Sequence, residues 1–118
     1  MKRKSPSKIS FNALVRLLQE SGFEIVVTSE KRLIKQVTGP KVRARSTATV
    51  IKGLIVPDEN TIMINRDLDT KERVVTALHE LIHLHSPELS ESATERQALR
   101  MYKTLSDKDL GFVEFLVS

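Results

Sequence analysis

His79 and His83 stand four residues apart in Thr76-Ala-Leu-His79-Glu80-Leu-Ile-His83-Leu, with a glutamate directly after the first histidine. On a helix that interval stacks the two imidazoles one turn apart on one face, where together they can hold a single divalent metal ion. Glu80 lies beside that face. There it can take a proton from a metal-bound water, the role of the glutamate in the H-E-x-x-H signature of zinc peptidases. The competing reading is a surface flank on which two histidines fall at this interval by accident.

Catalytic zinc takes a third protein ligand and keeps its fourth position for water. His85 is a poor choice, because two residues from His83 is about 200° round a helix, towards the apolar side. The acids downstream are Glu88, Glu91, Glu95, Asp107, Asp109 and Glu114. Glu88 and Glu91 fall in the turn after Pro87 and in the first turn of the next helix, where acids ordinarily serve the helix dipole. Glu95 lies one turn further on, with enough chain behind it to fold back on the histidines, and is the expected ligand. Its structural alternative is a capping box, Ser92-Ala-Thr-Glu95. Tyr102, the single tyrosine, is two turns beyond Glu95 on the same face. It is a candidate oxyanion donor, against an ordinary core position. Glu72 and Thr76 share the histidine flank and are candidates to orient His79.

The helix that must carry these residues is legible without them. Asp69 is a plausible N-cap with Glu72 at N3, and Pro87 stops the segment, giving a helix over about 70–85. Val74, Val75, Leu78, Leu81, Ile82 and His85 form its apolar stripe. Upstream, Ser10 and Gly22 bracket a first amphipathic helix with Phe11, Leu14, Val15, Leu17 and Leu18 at helical spacing. Phe23 to Thr28 reads as a buried strand, and Arg32 to Val37 as a second strand or a short helical turn, with strand preferred. After Gly39-Pro40, Lys41 to Val50 alternates as a half-exposed strand or a loop stiffening near Thr47. Lys41, Arg43 and Arg45 there are either a solvated face or a basic rim for an acidic partner. Gly53–Val56 and Thr61–Asn65 flank Pro57-Asp-Glu-Asn60 as a hairpin whose second strand leads into the histidine helix, so the hairpin should border a cleft. Beyond Pro87, Ser90 or Ser92 caps another helix through Glu95, Ala98, Leu99, Tyr102 and Leu105. A last apolar segment, Leu110 to Val117, forms a short helix or strand.

With 118 residues the chain is expected to form one domain over 10–118, preceded by a basic flexible tail over 1–9. Only 4% of residues are aromatic, so Leu, Ile and Val must build the core. The absence of cysteine excludes disulfides and thiolate ligands, leaving His and carboxylate to hold any metal, and fits a cytoplasmic protein. Lys2, Arg3, Lys4 and Lys8 account for the whole net charge of +4. They form a solvated end or a weak nucleic-acid contact. No stretch has the length or apolarity of a membrane span.

The run His79-Glu-Leu-Ile-His83-Leu-His-Ser-Pro87-Glu-Leu-Ser-Glu91-Ser-Ala-Thr-Glu95 resembles the minimal gluzincins, very small zinc peptidases with a proline-containing turn and a glutamate helix after H-E-x-x-H. A looser likeness is to IrrE- and ImmA-type peptidases, whose glutamate helix reads E-x-x-A-N where this chain has Glu95-Arg-Gln-Ala98-Leu99. The resemblance implies an α+β, zincin-like fold with an N-terminal helix, a small mixed sheet, the H-E-x-x-H helix and a glutamate helix. It implies Zn2+ on His79, His83 and Glu95, Glu80 as general base, and a peptide or protein substrate. Minimal gluzincins include latent forms whose C-terminal segment fills the cleft; Phe112 to Val117 is the candidate for that here, with an ordinary packed helix the preferred reading. Thermolysin-like relatives carry an acid four residues after the ligand glutamate to orient a histidine; counted from Glu95, that position is Leu99. The rival expectation is a non-catalytic regulatory or nucleic-acid-binding module with a structural metal, for which an intact Glu80 has no use.

Overall fold

The computed structural model describes residues 9–37, 43–47 and 49–118, so the expected tail falls outside it except for Ile9. The fold is α+β: the described residues form five α-helices and a mixed sheet of four strands. Helix α1 (Phe11–Ser21) is capped by the Ser10 hydroxyl, which accepts from the Ala13 amide, and ends at Gly22 with a left-handed φ of 79°. Strand β1 (Glu24–Thr28) follows, then helix α2 (Glu30–Val37), strands β2 (Arg43–Ser46), β3 (Ile51–Val56) and β4 (Thr61–Asn65), and helices α3 (Thr70–His85), α4 (Glu91–Thr104) and α5 (Asp107–Leu116).

The strands lie in the order β1-β4-β3-β2. β4 is parallel to β1 and antiparallel to β3, and β3 is antiparallel to β2. The expected hairpin is β3–β4, turned by a short 3-10 segment at Pro57–Glu59 with Asn60 in the left-handed region. Leu54-Ile55-Val56 and Ile62-Met63-Ile64 are apolar without interruption because β3 and β4 are the central strands and both their faces are covered. Ile55, Ile62 and Ile64 pack on α3, with Val74, Val75, Leu78 and Ile82, joined by residues of α1, α4 and α5. Leu54, Val56 and Met63 face the other way, onto Leu33 of α2.

That second face corrects one expectation: Arg32–Val37 is helical and not a strand. Leu33 and Val37, one turn apart, close over the uncovered side of the sheet, and Ile34 is left 52% exposed. Ser29 supports the start, accepting from the Arg32 amide, and Glu30 accepts from the Ile51 amide. Strand β1 is also less buried than expected, because it is an edge of the sheet.

Helix α3 is the central element. The Asp69 side chain caps it by accepting from the Glu72 amide, and residues 74 to 83 are all buried. It lies close on β3 at Gly53, where a Cβ would run into the Thr76 methyl and stand 3.0 Å from the Met63 carbonyl oxygen. Only glycine permits that approach. His85, assigned to the apolar stripe from its angle, is exposed at the helix end, its Nδ1 2.8 Å from the Ser86 hydroxyl.

Ser90, not Ser92, caps α4 by accepting from the Ala93 amide, which puts Glu91 in the first turn and removes the capping-box role from Ser92 and Glu95. Helix α5, capped by Ser106, buries Val113 in the core, and Val117 just past its end joins it there. Its end is tied to α3, where Arg73 donates to the Val117 carbonyl. No helix among the described residues is long and apolar enough to cross a membrane.

Candidate metal centre

Turn-spaced on α3, the rings of His79 and His83 stand with centroids 4.8 Å apart, edge to face at 72°. Both histidines are buried. Helix α4 runs back along α3 and brings Glu91 onto them: one carboxylate oxygen is 3.2 Å from His79 Nε2, the other 2.7 Å from His83 Nε2. One ligand atom from each of the three residues lies within 4.8 Å of the others. A tetrahedral ion with bonds of about 2.0–2.2 Å holds its ligands roughly 3.3 Å apart, so these donors need only a small adjustment to embrace one.

Glu95 is on the other side of the same ring. Its Oε1 is 2.8 Å from His79 Nδ1, and it does not join the Nε2 group. The expected ligand therefore has another partner, and the acid that converges on the two histidines is Glu91, in the first turn of α4, where an acid ordinarily serves the helix dipole. The reason is the register between α3 and α4: one helical turn separates the two acids, and the turn nearest the Pro87 bend is the one opposite His83. A signal for Glu91 was present. Glu91 and Glu95 share a face of the helix at i, i+4, so both can meet the His79 ring.

Three features of these atoms fit a bound cation. A neutral imidazole has one N–H to give. When the one proton of a neutral His79 sits on Nδ1, towards Glu95 at 2.8 Å, Nε2 meets Glu91 at 3.2 Å with a lone pair, and a cation between them relieves that contact. Burial outweighs the surrounding acids and holds the His79 pKa below its ordinary value, which favours the metal over the proton. His83 approaches Glu91 without hydrogen-bond geometry, and neither of its ring nitrogens has a hydrogen-bond partner. Both Glu80 oxygens are likewise unpartnered in a fully buried side chain. Burial first, and then the charge of Glu91, push the Glu80 carboxyl well above the carboxylate range; the Arg45 charge and its nearby amide, which falls short of hydrogen-bonding geometry, pull the other way. A cation is the natural compensation for such a group.

Around the centre runs a second set of contacts. Arg45 of β2 grips Glu95 through Nε and Nη2 at 3.0 and 2.7 Å, and Nη1 donates to Thr76 and Glu72. Arg45 is 8% exposed, so it is not part of a basic rim. Lys41 lies outside the described residues. Glu72 and Thr76 do not orient His79: Glu72 takes Arg45 and Lys52, and Thr76 takes Arg45 while donating to the Glu72 carbonyl. The Arg45 hydrogen bonds draw the Glu95 carboxyl down to about 2.

A cleft of about 500 Å³ opens onto His79, Glu91 and Glu95, walled by Ala44 to Thr47 and Lys52. Most of the wall is edge strand β2, and the expected hairpin borders the cleft through Lys52 of β3. Tyr102 does not reach the cleft. Its ring sits under the Lys71 ammonium, 5.6 Å from Nζ to ring centroid, near the start of α3. Seven residues from Glu95 preserve the helix face but travel roughly 10 Å along the axis, away from the histidines. No described residue of α5 lines the cleft; Val113 of that helix packs in the core. No family model, curated protein or solved structure matches this chain.

Proposed function

We propose that this protein is a zinc-dependent peptidase of the zincin type, in which His79, His83 and Glu91 hold the ion and Glu80 is the general base. The reading is carried by one observation: the Glu91 carboxylate of the following helix lies 3.2 and 2.7 Å from the Nε2 atoms of two buried imidazoles, and the three residues offer ligand atoms within 4.8 Å of one another. Two nitrogens and one oxygen, without cysteine, suit zinc in an open catalytic site better than in a closed structural one. The resemblance to the gluzincins gains from the same assignment. Counted from Glu91, the acid four residues on is Glu95, the interval that a count from Glu95 itself had failed to find.

A divalent ion held there supplies Lewis acidity towards a peptide carbonyl and towards water. Every other step belongs to the chain. Glu80, buried without a hydrogen-bond partner, accepts the proton of the attacking water at a carboxylate oxygen and returns it to the leaving amine. Glu95 keeps His79 protonated at Nδ1 and thereby keeps its Nε2 lone pair free. Strand β2 is an open edge beside the cleft, to which an extended peptide can add by backbone pairing, favouring protein segments over compact substrates.

The test is zinc content together with cleavage of casein or a quenched peptide by wild type and Glu80→Gln. Wild type is expected to take one zinc and to cleave. Glu80→Gln should keep the zinc and lose roughly 10²–10⁴-fold in cleavage rate, the size of a general-base contribution. Zinc bound with no Glu80-dependent cleavage would favour the regulatory module instead. That rival has lost Arg45 from its basic surface, because the guanidinium is turned inward.

A further inference from the structure

Arg45 is the single buried cation among the described residues, and it comes from the edge strand instead of either helix that carries the candidate ligands. The β2–β3 ladder shifts register between Arg45 and Ser46, an irregularity of the kind that redirects a side chain. All three guanidinium nitrogens are engaged. Nε and Nη2 form a two-pronged fork on the two oxygens of Glu95, and Nη1 is anchored on the Thr76 hydroxyl at 2.8 Å and on Glu72 at 3.2 Å. Glu95 Oε1 accepts from Arg45 Nε and lies 2.8 Å from His79 Nδ1.

We propose that Arg45 is a positioning residue for the metal centre: by fixing both oxygens of Glu95 it holds the proton of His79 on Nδ1 and aims the Nε2 lone pair at His83 and Glu91. The effect on metal binding rests on the zinc site proposed above; the effect on the His79 ring does not. Without the fork, the Glu95 side chain, which is one-third exposed, is free to rotate away from the ring. His79 can then shift its proton to Nε2 and close the nitrogen that a metal needs. A lysine at this position keeps the charge but presents a point donor, so it cannot hold both oxygens in one plane. The chain from Arg45 through Glu95 to His79 thus ties the cleft wall to the ligand on α3.

The ring nitrogens report the arrangement directly. In metal-free wild type, long-range proton–nitrogen NMR correlations should show His79 as the Nδ1–H tautomer, and Arg45→Met should move it towards Nε2–H. Chelator competition with Zn2+ should show Arg45→Met weakened by about 10–100-fold, the usual cost of losing the partner that orients a metal-binding histidine. Arg45→Lys should restore only part of either property, and it decides the matter if the methionine variant fails to fold. Lys52→Met, which removes the other cation on Glu72, should leave both readouts at wild-type values. The proposal is overturned if folded Arg45→Met keeps the wild-type tautomer and zinc affinity, or if lysine equals arginine in both. If wild type takes no zinc at all, the zinc site falls, while the tautomer still decides the role of Arg45.

Discussion

The two faces of the sheet are both covered and are built on opposite terms. On the α2 side, Leu33, Leu54, Val56 and Met63 close an apolar cluster with no buried charge in it. On the α3 side a larger apolar cluster runs into a polar one, in which Glu80 and His83 are buried with side-chain atoms that have no hydrogen-bond partner. Polar atoms buried without partners cost free energy, and a leucine or methionine at position 80 would avoid that cost. The α2 face is what this sequence makes when only packing matters. The departure from it on the α3 face coincides with the proposed metal centre.

That contrast can be broken by exchanging the properties of the two faces. Leu54→Ala, fully buried on the α2 side, is expected to destabilise by about 2–5 kcal/mol in denaturant unfolding while leaving zinc affinity of the folded protein unchanged. Glu91→Ala should do the reverse, with unfolding free energy of the metal-free protein close to wild type and zinc affinity lower by more than about 100-fold. Glu95→Ala should fall between, at roughly 10–100-fold in affinity by competition with a chelator. If Glu95→Ala lost more zinc affinity than Glu91→Ala, the division of labour between the two acids would be reversed.

The boundary between the faces is sharpened at Gly53. Gly53→Ala forces the α3 side chains back from β3, with an expected loss of about 1–3 kcal/mol in thermal or denaturant unfolding, and it also crowds Glu80, whose carboxylate is 3.5 Å from the added carbon.

Acid supplies a smaller effect with a definite sign. Hydrogen bonding to Arg45 leads the influences that bring the Glu95 carboxyl from 4.5 to about 2 in the folded protein. Its contribution to stability is therefore complete above about pH 4.5 and lost as pH falls towards 2. Metal-free wild type should weaken across that window, and Arg45→Met should flatten that part of the curve. The smallest effect belongs outside both faces. Phe115→Ser, at a side chain 75% exposed, should change unfolding free energy by less than about 0.5 kcal/mol.

Much of the scaffold was readable because local chemistry decides it. Ser10, Asp69 and Gly22 cap helices as their types dictate, and the two apolar runs around Pro57 could form only a hairpin. Helix α2 was not readable from its own eight residues: Leu33, Ile34 and Val37 suit either structure, and the uncovered side of the sheet decides between them. Within the site, His79, Glu80 and His83 follow from spacing on a single helix. Glu91 against Glu95, the remoteness of Tyr102 and the inward turn of Arg45 depend on how α4 and β2 meet α3. Spacing within one segment does not encode that register.

The most direct test is a crystal structure of the protein grown with zinc. The account expects one ion bonded to Nε2 of His79, Nε2 of His83 and a Glu91 oxygen, with Glu95 off the metal and on His79 Nδ1. Zinc bonded to Glu95 instead of Glu91, or found only away from the two histidines, would contradict it.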